Sequence, residues 1–207
     1  PVFLEIAQQV LKESEHVFGK VDWSILFPMA DHIAFAVKRI RNDEQIRNPL
    51  TGDIQALFHM EYKTAECIRP ILKERLGVEI DEHEVSYIAL HIHSAIENET
   101  VALSMQIAGT VRECIQMVEE QTGRRIDVMS LSYNRLMNHV RFMAVRVSKG
   151  EKLKLDMNEY MLEQFPDAFR MAGVLCSHLE KYLKQPVDEV ETGYLAMHIQ
   201  RVLSELE

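Results

Sequence analysis

The stretch from Asp81 to Ile92 reads DEHEVSYIALHI, and the stretch from Asp188 to Ile199 repeats it as DEVETGYLAMHI. A shift of 107 residues superimposes the two stretches without a gap. In each copy an Asp followed three residues later by a Glu precedes an apolar pattern with helical spacing, which is the form of a capping box. The sequence therefore predicts that one helical fold occurs twice.

The same offset relates two pairs of histidines. His32 and His91 are 59 residues apart, and His139 and His198 repeat this gap at the 107-residue offset. Histidine titrates near neutral pH and is a ready nucleophile or ligand, so its repeated placement indicates that the imidazoles themselves matter. The following further pairs also match at this offset: Phe35 with Phe142, Arg39 with Arg146, Phe58 with Phe165, Leu72 with Leu179, Glu84 with Glu191 and Tyr87 with Tyr194.

Apolar residues recur at three-to-four spacing along most of the chain, which predicts an all-α fold of two homologous helical bundles in tandem. We expect the domains at 1–98 and 99–207, because Glu97 to Thr100 is polar and aperiodic. In the capping box, the side chain of Asp81 should accept a hydrogen bond from a first-turn amide. The side chain of Glu84 should reach back to the amide at the start of the helix. The predicted helices are 2–18, 29–41, one or two over 53–76 stopped by Gly77, one after Asp81, and 101–120, 130–147, 157–165, 167–183 and 188–206.

Composition excludes several classes of protein. No apolar run approaches the roughly 18 residues that cross a bilayer, so no membrane insertion is expected. A net charge of −9 argues against a nucleic-acid clamp in this segment. Three cysteines without a CxxC spacing indicate neither a disulfide framework nor a structural zinc site, and they fit a reducing cytoplasm. No signal peptide is visible, and from Pro1 in place of methionine we expect a fragment or a trimmed chain.

The first histidine of each pair has an arginine seven residues later. His32 with Arg39, and His139 with Arg146, are almost two helical turns apart and so share a face. A neutral imidazole near a guanidinium suits a phosphoryl acceptor, because the arginine can bind phosphate oxygens with several donors. The alternative is a half-buried core histidine with a solvated arginine.

The remaining histidines give weaker signals. His91 and His93 are two residues apart and would point about 200° away from each other on a helix, which argues against a pair of zinc ligands. The second copy has Gln200 where His93 would recur. We therefore expect no metal site and no cofactor.

Several motifs resemble a known family. The segments ADHIAFA (30–36), RNPL (47–50) and YIALHI (87–92) resemble the first phosphotransferase-system (PTS) regulation domain, or PRD, of the BglG/SacY/LicT family of transcriptional antiterminators. The segment YNRLMNHVRF (133–142) is similar to the start of the second PRD. The resemblance covers essentially the whole chain and is nearest to the glucose-responsive branch.

This resemblance implies a regulatory protein rather than an enzyme. It implies that the phosphocarrier HPr or a sugar-specific enzyme II phosphorylates His32, His91, His139 and His198, with Asp31, Arg39 and Arg146 supporting the phosphate or an interface. Phosphorylation would control homodimerisation of an RNA-binding module, which we expect before Pro1 and outside this chain. The protein would be cytoplasmic.

The chain departs from the family pattern at a few positions, and two alternatives stay open. Ala30 stands where Thr is common, Ser86-Tyr87 replaces Gly-Phe, and Asn138 replaces an Asp. All four histidines remain, so these departures do not affect the capacity to accept phosphoryl groups. They put in doubt which phosphoryl donor is preferred. The alternatives are the PRD region of a DNA-binding activator and a helical metal-dependent phosphohydrolase, since Asp31-His32 is like an inverted His-Asp pair.

Overall fold

The computed structural model describes residues 2–127 and 129–206, most of which lie in helices. No β-strand occurs in these residues, so the all-α prediction is confirmed. None of the described helices is long and apolar enough to cross a membrane. The chain divides into two compact units, one up to Met105 and one from Gln106 on. The domain boundary predicted between Asn98 and Glu99 stays a prediction.

The first unit is built from short and medium helices. They are α1 (Val2–Phe18), a 3₁₀ turn (Trp23–Ile25), α2 (Leu26–Arg41), α3 (Thr51–Leu57), α4 (His59–Ala65), α5 (Ile68–Leu76) and α6 (Glu82–Glu97). The division between the units falls inside α7 (Val101–Thr122). The second unit continues with α8 (Leu131–Lys149), α9 (Asn158–Gln164), α10 (Pro166–Leu183) and α11 (Val190–Leu206).

The interval 53–76, predicted as one or two helices, is divided among three helices, and Pro70 explains the extra break. A proline inside a helix lacks the N–H that would bond to the carbonyl four residues earlier, and its ring clashes with that carbonyl. Helix α4 therefore ends at Ala65, and α5 restarts at Ile68 with Pro70 in its first turn. The second copy has Ser177 at this position, and α10 runs unbroken. The predicted stop at Gly77 is confirmed, since this residue closes α5 with a φ of 63°.

The helices that carry the histidines are neighbours in each unit. In the first unit α2 packs against α1 and α6, and α6 also packs against α3 and α4. In the second unit α8 packs against α10 and α11, and α11 also packs against α9. Fully buried side chains such as Ile33 and Ile92, with their counterparts Val140 and Ile199, fill these contacts. Burial of each contributes about 1.5–3 kcal/mol, so the pairing of these helices is firmly set.

A close approach between α9 and α11 depends on Gly193. A methyl group there would lie 2.7 Å from the side-chain oxygen of Asn158 and 2.9 Å from backbone atoms of Met157 and Asn158. We expect Gly193→Ala to lower the free energy of unfolding by about 1–3 kcal/mol, because the helices must move apart. Urea unfolding measures this change.

The matched control is Gly173→Ala in α10, where a methyl group would meet nothing within 4 Å. This substitution should raise the free energy of unfolding by about 0.5–1 kcal/mol, since alanine loses less backbone entropy than glycine in a helix. Equal effects of the two substitutions would contradict the close packing at Gly193.

Candidate functional site

The first unit brings His32 of α2 beside His91 of α6. Their ring centroids are 5.4 Å apart, and the ring of Tyr87, one turn before His91, lies 5.3 Å from that of His32. His32 keeps 18% of its side chain exposed. The two histidines, 59 residues apart in sequence, thus share one partly open site.

A buried carboxylate lies under this pair. Glu84 is 2% exposed, and its Oε2 is 3.2 Å from Nε2 of His32. Arg39 donates to the same carboxylate from Nε at 2.9 Å and from Nη2 at 2.7 and 2.9 Å. A buried negative charge is costly unless it is paired and hydrogen-bonded, and Arg39 supplies both.

The second unit repeats the arrangement with tighter ring contact. His139 of α8 and His198 of α11 have ring centroids 4.5 Å apart, and Tyr194 lies 6.3 Å from His139. Arg146 donates from Nε and Nη2 to the two oxygens of Glu191, each at 2.7 Å. Nε2 of His139 is 3.9 Å from this carboxylate, which is only 1% exposed. Both units therefore combine two imidazoles with one arginine–glutamate pair.

Half of the predicted capping box is wrong. The side chain of Asp81 accepts from the amide of Glu84 at 2.9 Å, as predicted. The carboxylate of Glu84 does not reach back to the helix start, because it is bonded to Arg39. In the second copy the side chain of Asp188 accepts from the amide of Val190 at 3.1 Å, while Glu191 binds Arg146.

Glu84 and Glu191 are the site residues that sequence reasoning assigned to the wrong role. The signal was present, because Arg39 and Arg146 recur at the same offset as these two glutamates. Charge partners that recur together in both copies indicate a pair, whereas a helix cap needs only a local acceptor. The predicted support residue Asp31 lies exposed on α2 and outside the buried cluster.

The environment keeps most of these histidines uncharged at neutral pH. Burial lowers the pKa of His91 to about 4, and the nearby His32 adds to the effect. Burial also lowers the pKa of His139 to about 3, with His198 and Arg146 contributing. For His198, burial followed by the charges of Arg201 and Arg135 lowers the pKa to about 4. A neutral imidazole retains a lone pair for attack on phosphorus.

Glu84 itself stays ionised. Burial would raise the pKa of this carboxyl, but His32 and Arg39 beside it hold the pKa below its usual value. The site thus keeps a fixed negative charge beneath the histidine pair.

His93 belongs to a different cluster, on the other side of α6. It is fully buried, with Nδ1 2.9 Å from Glu61 and Nε2 3.2 Å from Glu99. Its separation from His91 follows from their spacing on the helix. Across residues 2–127 and 129–206 there is no group of three or more His, Cys, Asp or Glu side chains that could hold a metal ion.

An exposed aromatic residue follows the first histidine of each unit by one turn. Phe35 is 60% exposed and Phe142 is 55% exposed. Both units therefore carry one exposed aromatic side chain at the same place relative to the first histidine.

Comparison with known protein families finds the same domain twice in this chain. The PRD domain model matches residues 4–95 and 112–202. Among curated proteins, the chain is 31% identical over 175 residues to the PtsGHI operon antiterminator of Bacillus subtilis, which covers 84% of this chain and 62% of that protein. It is 32% identical over 183 residues to Protein GlcT of Staphylococcus saprophyticus, covering 87% of this chain and 65% of the relative.

A third relative is the beta-glucoside operon antiterminator of Dickeya chrysanthemi, 28% identical over 200 residues, with 93% of this chain and 69% of the relative covered. The chain thus spans about two thirds of the length of these relatives.

Removal of one partner from a buried ion pair should be more harmful than removal of both. Arg39→Met leaves Glu84 buried without its main partner, and we expect it to lower the free energy of unfolding by about 3–5 kcal/mol. The double variant Arg39→Met with Glu84→Met should recover most of this loss, because no buried charge remains. Chemical denaturation of the single and double variants measures the difference.

The matched control is Arg75→Met, which breaks an exposed pair with Glu5. Its effect should stay below about 1 kcal/mol. A double variant as unstable as Arg39→Met alone would contradict the buried pair.

The lowered histidine pKa values predict a loss of stability in acid. The folded pKa values of His91, His139 and His198 lie near 3–4, below the ordinary 6.5. The unfolded chain therefore binds protons that the folded chain does not, so stability present above pH 6.5 is lost as the pH falls toward 4. Each histidine should contribute a slope of about 1.4 kcal/mol per pH unit in this window.

Urea unfolding at a series of pH values tests this dependence with His91→Gln, which should remove the slope of one histidine. His16→Gln changes an exposed histidine and should leave the profile unaltered. An unchanged profile for His91→Gln would show that this imidazole is not held neutral by burial.

Proposed function

This chain belongs to the PRD domain family, and on that premise we propose that it is the regulatory part of a transcriptional antiterminator. In this proposal, HPr and a sugar-specific enzyme II transfer phosphoryl groups to His32, His91, His139 and His198. The names of its relatives support a regulatory protein rather than an enzyme. They also favour an antiterminator over a DNA-binding activator, although both would use the same phosphorylation chemistry.

The observation that carries the proposal is the duplicated cluster of two imidazoles and one arginine–glutamate pair. His91, His139 and His198 are neutral at pH 7, which is the state that a phosphoryl acceptor requires. All four rings retain partial access to the surface, since none of these residues is fully buried. An incoming phosphate therefore finds a nucleophile at the surface and a guanidinium close behind it.

Phosphorylation would disturb the buried pair. A phosphohistidine carries about −1.5 to −2 charges at pH 7 and three acceptor oxygens. On His32 this charge would repel the carboxylate of Glu84 and attract the guanidinium of Arg39. Two unit charges 4 Å apart interact by about 4 kcal/mol near a protein surface, close to the roughly 5.5 kcal/mol that swings a two-state equilibrium almost completely. A phosphate at such a distance would therefore shift a two-state equilibrium substantially.

The aromatic residues Phe35 and Phe142 give the switch a readout. Each lies one helical turn beyond the first histidine and exposes more than half of its side chain. Exposed aromatic residues are enriched in the centres of protein interfaces. We infer that these residues contact their counterparts in a homodimer, so that a phosphate beside them alters dimer stability and, through it, RNA binding by a module elsewhere in the protein. With these proposed partners, the protein would act in the cytoplasm.

The test is transfer from purified phosphorylated HPr and, separately, from the phosphorylated cytoplasmic domain of the cognate enzyme II. Mass spectrometry should find label on His32, His91, His139 and His198 only. Light scattering before and after transfer should show a changed proportion of dimer, and Phe35→Ser or Phe142→Ser should reduce the dimer in the state that favours it.

The exposed residues His16 and His59 are internal controls for nonspecific labelling. Label on His59 or His178, or no label from either donor, would contradict the proposed function. Phosphoryl label on the four histidines without any change in dimerisation would contradict only the proposed readout through the dimer.

A further inference from the structure

The two histidines of each unit present different ring nitrogens to the surface. Among the described residues, the imidazole nitrogens that are buried without a hydrogen-bond partner are Nε2 of His32 and His139 and Nδ1 of His91 and His198. The nitrogen that faces outward is therefore Nδ1 in the first histidine of each unit and Nε2 in the second. The pattern is the same in both copies, as expected from a feature of the fold.

The buried carboxylate faces the inner ring nitrogen of the first histidine in both units, and its charge favours a proton there. Nε2 of His32 faces Oε2 of Glu84 at 3.2 Å, and Nε2 of His139 faces Oε2 of Glu191 at 3.9 Å. An ionised carboxylate only accepts hydrogen bonds, so it favours the tautomer with the proton on Nε2. In that tautomer the lone pair is on Nδ1, which is the nitrogen at the surface.

We propose that His32 and His139 accept the phosphoryl group on Nδ1 and that Glu84 and Glu191 are the positioning residues that select this nitrogen. The inference rests on the proposed function and specifies its chemistry. His91 and His198 lie beside them but offer Nε2, so the two histidines of a unit would form different phosphohistidine isomers.

The phosphoryl donor is a phosphohistidine whose second ring nitrogen is protonated. In the tautomer with the proton on Nε2, the Nδ1 lone pair of His32 attacks the donor phosphorus and forms an N–P bond. The donor N–P bond breaks, its electron pair stays on the donor ring, and that ring leaves as a neutral imidazole. The ring of His32 becomes positively charged and keeps its Nε2 proton, which Glu84 stabilises through the facing carboxylate oxygen.

The geometry of Arg39 allows a specific test of Glu84. Arg39 donates twice to Oε1 and once to Oε2, so in Glu84→Gln the amide oxygen should occupy the Oε1 position, where it keeps two of the three hydrogen bonds. The amide NH₂ would then point at Nε2 of His32 and favour a lone pair there, with the proton on Nδ1. Glu84→Gln should therefore slow phosphorylation of His32 on Nδ1 by at least about tenfold. Transfer to His139, whose own glutamate is intact, is the control within the same molecule.

The experiment uses a double variant, His91→Gln with His198→Gln, which leaves His32 and His139 as the acceptors. After transfer from phosphorylated HPr and removal of the donor, phosphorus NMR distinguishes the two phosphohistidine isomers, and mass spectrometry assigns the residues. We expect the Nδ1 isomer alone. A thermal unfolding curve for each variant confirms that it remains folded, and Glu191→Gln repeats the test on His139.

The other possible results contradict either this inference or the proposed function. Any Nε2 isomer in the double variant overturns the inference, as does a labelled parent chain with no label on His32 or His139. An unaltered transfer rate in folded Glu84→Gln overturns the positioning role of that carboxylate. Absence of phosphohistidine from the parent chain contradicts the proposed function itself, so the two failures are distinguishable.

Discussion

The buried arginine–glutamate pair is the constraint on which the site depends. Arg39 on α2 and Glu84 on α6, like Arg146 and Glu191 in the second unit, are 45 residues apart and bonded at 2.7–2.9 Å. A carboxylate with so little exposure is stable only where a cation reaches it, so the packing of the two helices must bring each arginine to its glutamate. Each histidine lies seven residues, almost two turns, from the anchor on its own helix, and the approach of the two histidines follows from the same helix pairing.

Much of this arrangement is predictable from the sequence, because the duplication supplies an internal comparison. The 107-residue offset identifies the four histidines and both arginines, and the structure brings them together in two equivalent clusters. The offset also pairs Glu84 with Glu191, yet a local motif offered a competing role as helix caps. A capping box is satisfied within one helix, whereas the ion pair requires knowledge of which helices pack together. Spacing along the chain does not provide that knowledge.

The error over 53–76 has a different origin. The apolar pattern continues through this interval in both copies, and periodicity cannot register a missing backbone donor. Pro70 divides the helix in the first unit, while Ser177 leaves α10 continuous in the second. The two units therefore preserve the same cluster although neighbouring helices are divided differently, with first-histidine to carboxylate distances of 3.2 and 3.9 Å. The chemistry of the site tolerates this divergence because α4 and α5 supply none of its residues.

The buried pair also bears on how such a protein evolves. Neutralising either Arg39 or Glu84 alone leaves the other charge stranded, so each single step away from the pair passes through a destabilised protein. Both copies in this chain have diverged widely around the pair and have kept it. A duplicated domain with such a pair can change its surface, its helix breaks and its partners. The arginine and the glutamate that join the two histidine-bearing helices are retained together.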